Sequence, residues 1–166
     1  MVASLIDKLI DILEQENEIY TDILNMSKNK TDIIVKGKIS ELENIVKLEQ
    51  SYIARIGKLE NEREEIVEKI ARQLVLDKDD INISGIIKKL DQENAARLKT
   101  CRESIMLTLK ELKSVNELNS NLTKNSLEYI DFSINLLASI DSTANNYSNS
   151  GRVNDPKKRS FLDMKL

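Results

Sequence analysis

SELENIVKLEQSYIARIGKLENEREEIVEKIARQL, residues 40–74, advances its apolar positions by three and four. The seam runs Leu42, Ile45, Tyr52, Ile56, Leu59, Ile66 and Ile70, and the alternation is unbroken once Glu49 and Arg63 are counted in. A helix turns once in 3.6 residues, so this spacing holds one stripe on one side along the whole segment. It is the pattern of a helix of a coiled coil. The polar seam residues Glu49 and Arg63 have two readings. Their stems lie along the seam while their heads reach water, or they fix register and partner choice at a cost in stability. The first is the simpler expectation.

Working toward the N-terminus, Gly37 sits where the rhythm lapses, between Lys28 and Lys38. Glycine readily adopts the left-handed conformation that ends helices. Ser40, followed three residues later by Glu43, has the form of a capping box. A turn near Gly37 and a new helix from Ser40 are expected. The segment before it carries Leu5, Leu9, Ile12, Ile19, Ile23 and Met26, again in four–three steps if Glu16 fills the gap. Ile10, Leu13 and Tyr20 widen that stripe, which implies more than one partner helix.

Toward the C-terminus, Leu76-Asp77-Lys78-Asp79-Asp80 is a polar break, and Ile81–Leu90 reads as a short helical segment weakened by Gly85. Asp91 is a plausible N-cap for a third long helix. That helix begins its stripe with Leu98, Ile105, Leu109 and Leu112, then advances by threes through Val115 and Leu118 to Leu122, a phase slip that changes the inward face. The Asn-rich stretch around Asn116, Asn119, Asn121 and Asn125 is expected to line a polar side with occasional interhelical hydrogen bonds.

LEYIDFSINLLASI, residues 127–140, concentrates the chain's scarce aromatics. Its local alternation raises a strand, but a lone strand in a helical protein has no sheet to join. As a helix it carries one stripe of Tyr129, Phe132, Leu136 and Ile140 and another of Ile130, Ile134 and Leu137. That is too broad for one packing seam. By the helical rise, the first helix is roughly 45 Å long, the second roughly 50 Å and the third roughly 75 Å. Short connections make successive helices antiparallel. The end of the third then overhangs the other two, leaving an apolar surface larger than a monomer ordinarily exposes.

The expected fold is therefore all-α: an elongated antiparallel three-helix coiled-coil bundle over residues 1–142, with helices at about 2–35, 40–75 and 91–142 and a short segment at about 82–90. A flexible basic tail, 143–166, follows an Asn/Ser-rich linker. The 166-residue chain has a net charge of −3, but its last fifteen residues carry Arg152, Lys157, Lys158, Arg159 and Lys165 against Asp155 and Asp163. An acidic body with a short basic tail is poor evidence for nucleic-acid binding, and no nucleic-acid partner is expected. Phe161 and Leu162, in that tail, belong to a short apolar cluster suited to docking.

Histidine is absent, which removes the usual neutral-pH base and the commonest metal ligand. Cys101 is the sole cysteine, with no partner to share a metal or form a disulfide, and fits a reducing compartment. No phosphate-binding glycine loop occurs. The chain is expected to be no enzyme and to need no cofactor. The opening MVASLID lacks the basic start and apolar run of a signal peptide, and no stretch reaches the length of a membrane span.

LIDILEQE at 9–16 with Tyr20, VKGKISELENIVKLEQ at 35–50, LNSNLTKNSLEYIDF at 118–132, YSNSG at 147–151 and KKRSFLD at 157–163 follow in an order that resembles the FlgN-type flagellar export chaperones. The resemblance covers nearly the whole chain. It implies a cytoplasmic chaperone of flagellar type III export that binds the C-terminal helices of hook-associated proteins at the hook-filament junction. It implies that such a protein prevents their premature assembly and delivers them to the export gate. Client binding is expected on Leu127, Tyr129, Ile130, Phe132, Ile134, Leu136 and Leu137, with Phe161 and Leu162 as a tail contact. The tyrosine past the last helix, Tyr147 here, is the implied gate-docking residue. The chain is expected to be a monomer or weak homo-oligomer. Rival readings are a structural coiled coil that only self-associates, and an adaptor holding an anionic membrane through its basic tail.

Overall fold

In a computed structural model of the chain, residues 2–144 are described, residues 140–144 by backbone alone. Among them are four α-helices and no strand: α1 (Val2–Val35), α2 (Ile39–Leu74), α3 (Ile83–Lys89) and α4 (Gln92–Ala144). A single 3-10 turn, Lys78–Asp80, precedes α3. The described residues divide into two compact units, 2–122 and 123–144, with the boundary inside α4.

α1 ends where Gly37 takes φ +64°. Lys38 donates its N–H to the carbonyl of Ile33 and Gly37 to that of Ile34, each at 3.1 Å, which closes a Schellman motif and satisfies two of the last carbonyls of the helix. This closure makes Lys38 the residue flanking α2, and the helix starts at Ile39 with no side-chain cap. The expected capping box at Ser40 therefore does not form, because Ser40 already lies inside the first turn. Lys38 Nζ contacts Glu41 Oε1 at 2.7 Å instead. At the other end of α2, Val75 adopts φ 52° and both it and Leu76 donate to the carbonyl of Ala71.

Two side-chain caps start the later helices. Asn82 Oδ1 accepts from the Gly85 N–H at 2.9 Å, and Asp91 Oδ1 accepts from the Asn94 N–H at 3.0 Å. The bonds from Asn94 hold the Asp91 carboxyl below its usual pKa. Gly85 is buried, and a Cβ there would collide with the backbone carbonyl of Asp80. Its cost to helix propensity is thus offset by the close approach of α3 to the preceding turn.

Unit 1 holds two apolar clusters. One joins Ile6, Leu9, Ile10 and Leu13 of α1 to Ile70 of α2, Ile86 of α3, and Leu98 and Ile105 of α4. The other joins Ile19, Ile23 and Leu24 of α1 to Ile56 of α2 and Leu112 of α4. Lys30 meets Glu49 and Glu16 meets Arg63, each at 2.8 Å, so α1 and α2 run antiparallel. Asp7 meets Arg97, Asn17 meets Ser104, and Thr31 meets Asn119, so α1 and α4 run parallel. Glu49 and Arg63 are therefore not simply heads reaching water. Each finds its counter-ion on α1.

The inward face of α4 also differs from the expected phase slip. Leu98, Ile105, Leu112 and Asn119 are buried and Cys101, Thr108, Val115 and Leu122 half-buried, an unbroken sevenfold register. Leu118, expected inside, is 50% exposed. Asn119 takes the inward position because its polar atoms are satisfied there. Its Nδ2 donates to the Ser27 carbonyl at 2.8 Å and its Oδ1 accepts from Thr31 Oγ1 at 2.6 Å. Ser27 Oγ donates to Asn116 Oδ1 at 3.1 Å.

Candidate functional site

Within unit 2, α4 continues through residues 123–144. Leu127, Tyr129, Ile130, Phe132, Ile134, Leu136 and Leu137 are all exposed there, Tyr129 by 72% and Phe132 by 64%. Folded chains tolerate scattered apolar side chains on their surface, and seven of them between Leu127 and Leu137 form a denser group than such scatter. At 100° per residue, Tyr129, Phe132 and Leu136 fall within about 60° of arc, and Leu127, Ile130, Ile134 and Leu137 within about 80°. Together they span about 220° of the helix surface. The remaining arc is polar, with Lys124, Glu128, Asp131 and Asn135, and Lys124 lies 3.9 Å from Glu128.

Two serines lie on the line between the stripes, Ser126 and Ser133. Ser133 Oγ donates to the Tyr129 carbonyl of its own helix at 2.9 Å, which leaves the hydroxyl satisfied without a partner molecule. The sequence reading identified the two stripes but not this dividing line. Its signal was the seven-residue spacing of two small residues between bulky ones.

Tyr147, Phe161 and Leu162 lie outside the described residues. A second apolar line, Ile39, Val46 and Ile53 of α2, also spaced by sevens and 38–64% exposed, was not singled out from sequence.

Among the described residues no group of three or more His, Cys, Asp or Glu is placed to hold a metal ion. Cys101 is half-buried against the first cluster, and burial, with the carboxylates of Glu14 and Glu16, raises its thiol pKa and suppresses the nucleophilic thiolate. No helix among the described residues is long and apolar enough to cross a membrane.

The model of the family described as "FlgN protein" matches residues 1–155. The chain belongs to the FlgN family. An uncharacterized protein of Bacillus subtilis (strain 168), YvyG, is 31% identical over 159 residues, covering 95% of this chain and 96% of the relative. No solved structure matches the chain. Membership in the FlgN family gives the chain a flagellar export chaperone role. The task of such a chaperone is to bind other flagellar proteins.

Proposed function

We propose that this FlgN-family protein is a cytoplasmic chaperone of flagellar type III export that binds the C-terminal helices of hook-associated proteins, holds them unassembled and delivers them to the export gate. The observation that carries this reading is the exposure of seven apolar side chains between Leu127 and Leu137. The mechanism is helix-in-groove recognition. A client helix lays its apolar face on Tyr129, Phe132, Ile134, Leu136 and their neighbours, burying surface that would otherwise drive assembly. α1, α2 and the first half of α4 serve as the antiparallel three-helix scaffold. Tyr147 docks on the export gate, and Phe161 with Leu162 adds a tail contact to the client. Recognition of this kind needs neither a cofactor nor a catalytic step.

The test is to mix the purified chain with the hook-filament junction proteins of the same organism and follow the mixture by size exclusion with light scattering. A stable mixed species supports the reading; separate elution of folded proteins opposes it.

A second reading, self-association as a structural coiled coil, is favoured by the exposed line Ile39, Val46 and Ile53. A mass that rises with concentration and falls on Ile53→Lys would support it.

A further inference from the structure

We infer that in the client-free protein the C-terminal segment 157–166 covers the apolar face of residues 127–137, and that a client displaces it. The contact follows from the chemistry of the two segments; its displacement rests on the client-binding reading above.

The exposed side chains between Leu127 and Leu137 call for an apolar occupant. Their margins call for a cationic one. Asp131 lies about 40° beyond Leu127 at one edge of the apolar arc, and Glu128 about 40° beyond Phe132 at the other. Lys124, the only basic residue between 123 and 139, is already 3.9 Å from Glu128. Asp131 has no counter-ion among the described residues. The occupant that fits both features is an apolar segment with basic side chains beside it.

Residues 157–166, KKRSFLDMKL, have that chemistry. Lys157, Lys158 and Arg159 come directly before Phe161, Leu162, Met164 and Leu166. The segment lies outside the described residues; its composition and its tether to α4 are what match it to the face. α4 ends at Ala144, twelve residues past Phe132, a span of about 18 Å along the helix. Seventeen residues join Ala144 to Phe161, and a polar linker of that length has an r.m.s. span of about 20–25 Å. The tether therefore matches the distance back to the face.

A matched tether sets an effective concentration in the millimolar range. A contact too weak to form between separate molecules is then populated within one chain, and opposite charges strengthen it at low salt. With a dissociation constant near that concentration, the tail covers the face about half of the time and lowers a client's apparent affinity about twofold. The apolar surface is shielded without being locked. Once displaced, Phe161 and Leu162 are free to make the client contact proposed above.

Paramagnetic NMR of the full chain tests this, with a nitroxide on Ser160→Cys in a Cys101→Ala background and the backbone amide signals followed. The expected result is a loss of amide intensity at residues 127–137. It should recover when Phe161→Ser and Leu162→Ser remove the apolar anchors, and also when a full-length hook-filament junction protein is added. A loss equal with and without the anchors marks a passive tether and overturns the inference. So does a loss centred on residues 39–53 of α2, or one that arises only between different copies in a mixed sample. A junction protein that forms a complex yet leaves the loss intact overturns the displacement. If no junction protein binds while the anchor-dependent loss persists, the tail contact stands and the chaperone reading fails, taking the displacement with it.

Discussion

Glu16 and Arg63 meet across the α1–α2 interface at 2.8 Å, each at a seam position where its helix would ordinarily carry an apolar residue. The Glu16 side chain is fully buried, Arg63 remains 28% exposed, and the second carboxylate oxygen of Glu16 has no hydrogen-bond partner. Burial raises the Glu16 pKa against the lowering effect of Arg63. The pair therefore joins α1 to α2 without being a strong source of stability.

Removing one partner should cost far more than neutralising the other. Arg63→Leu strands a buried carboxylate and should destabilise the fold by about 3 kcal/mol at neutral pH. Glu16→Gln keeps an acceptor for Arg63 and should stay within about 1 kcal/mol of the parent. The folded pKa of Glu16 lies above its ordinary 4.5, so the native state binds this proton more tightly than the unfolded chain. Its contribution to stability is fully present below that ordinary value and is lost as pH rises through the folded pKa. Urea denaturation across this range should show the Arg63→Leu deficit shrinking as pH falls, and Glu16→Gln lacking the slope.

The two helical glycines should respond in opposite directions. Gly85→Ala drives a methyl into the Asp80 carbonyl and should cost about 1–3 kcal/mol. Gly57 has open space around its missing Cβ inside α2, so Gly57→Ala should stabilise by about 0.5–1 kcal/mol. Paired thermal melts read both signs in one experiment.

Asn119→Ala should destabilise by about 1–3 kcal/mol, because the Ser27 carbonyl and the Thr31 hydroxyl lose a buried partner. Leu118→Ala, at an exposed neighbouring position, should change stability by less than about 0.5 kcal/mol. Chemical denaturation of the two variants discriminates the observed register from one in which Leu118 points inward.

Heptads made α1, α2 and α4 legible because repeated spacing is a property of one segment alone, and the role of Gly37 was legible because a left-handed residue is a local requirement. The inward position of Asn119 was not, since the groups that satisfy it belong to Ser27 and Thr31, 92 and 88 residues away. The pairing of Glu49 with Lys30 and of Arg63 with Glu16 was hidden for the same reason. Ser40 failed as a cap because the closure of the preceding helix fixed the start of α2 one residue earlier. In the candidate site, the apolar density of residues 127–137 was plain from composition. The serine line that splits it became evident only when helical angle and exposure were considered together.

Cys101 should react slowly with a thiol reagent at neutral pH, as burial and the nearby carboxylates disfavour its thiolate. The rate should rise by at least about tenfold in denaturant, where that burial is lost. Spectrophotometric titration with a disulfide reagent follows both states.

The most direct test is calorimetric titration of the full chain, and of its Phe132→Asp variant, with the C-terminal helical segments of the hook-filament junction proteins. Phe132 is 64% exposed, so the variant should keep its helical circular dichroism and melting temperature. The expected result is binding by the parent chain and a loss of about tenfold or more in affinity for the variant. Equal affinity for the two proteins, or no binding by a folded parent chain, would contradict the assignment of client recognition to this face of α4.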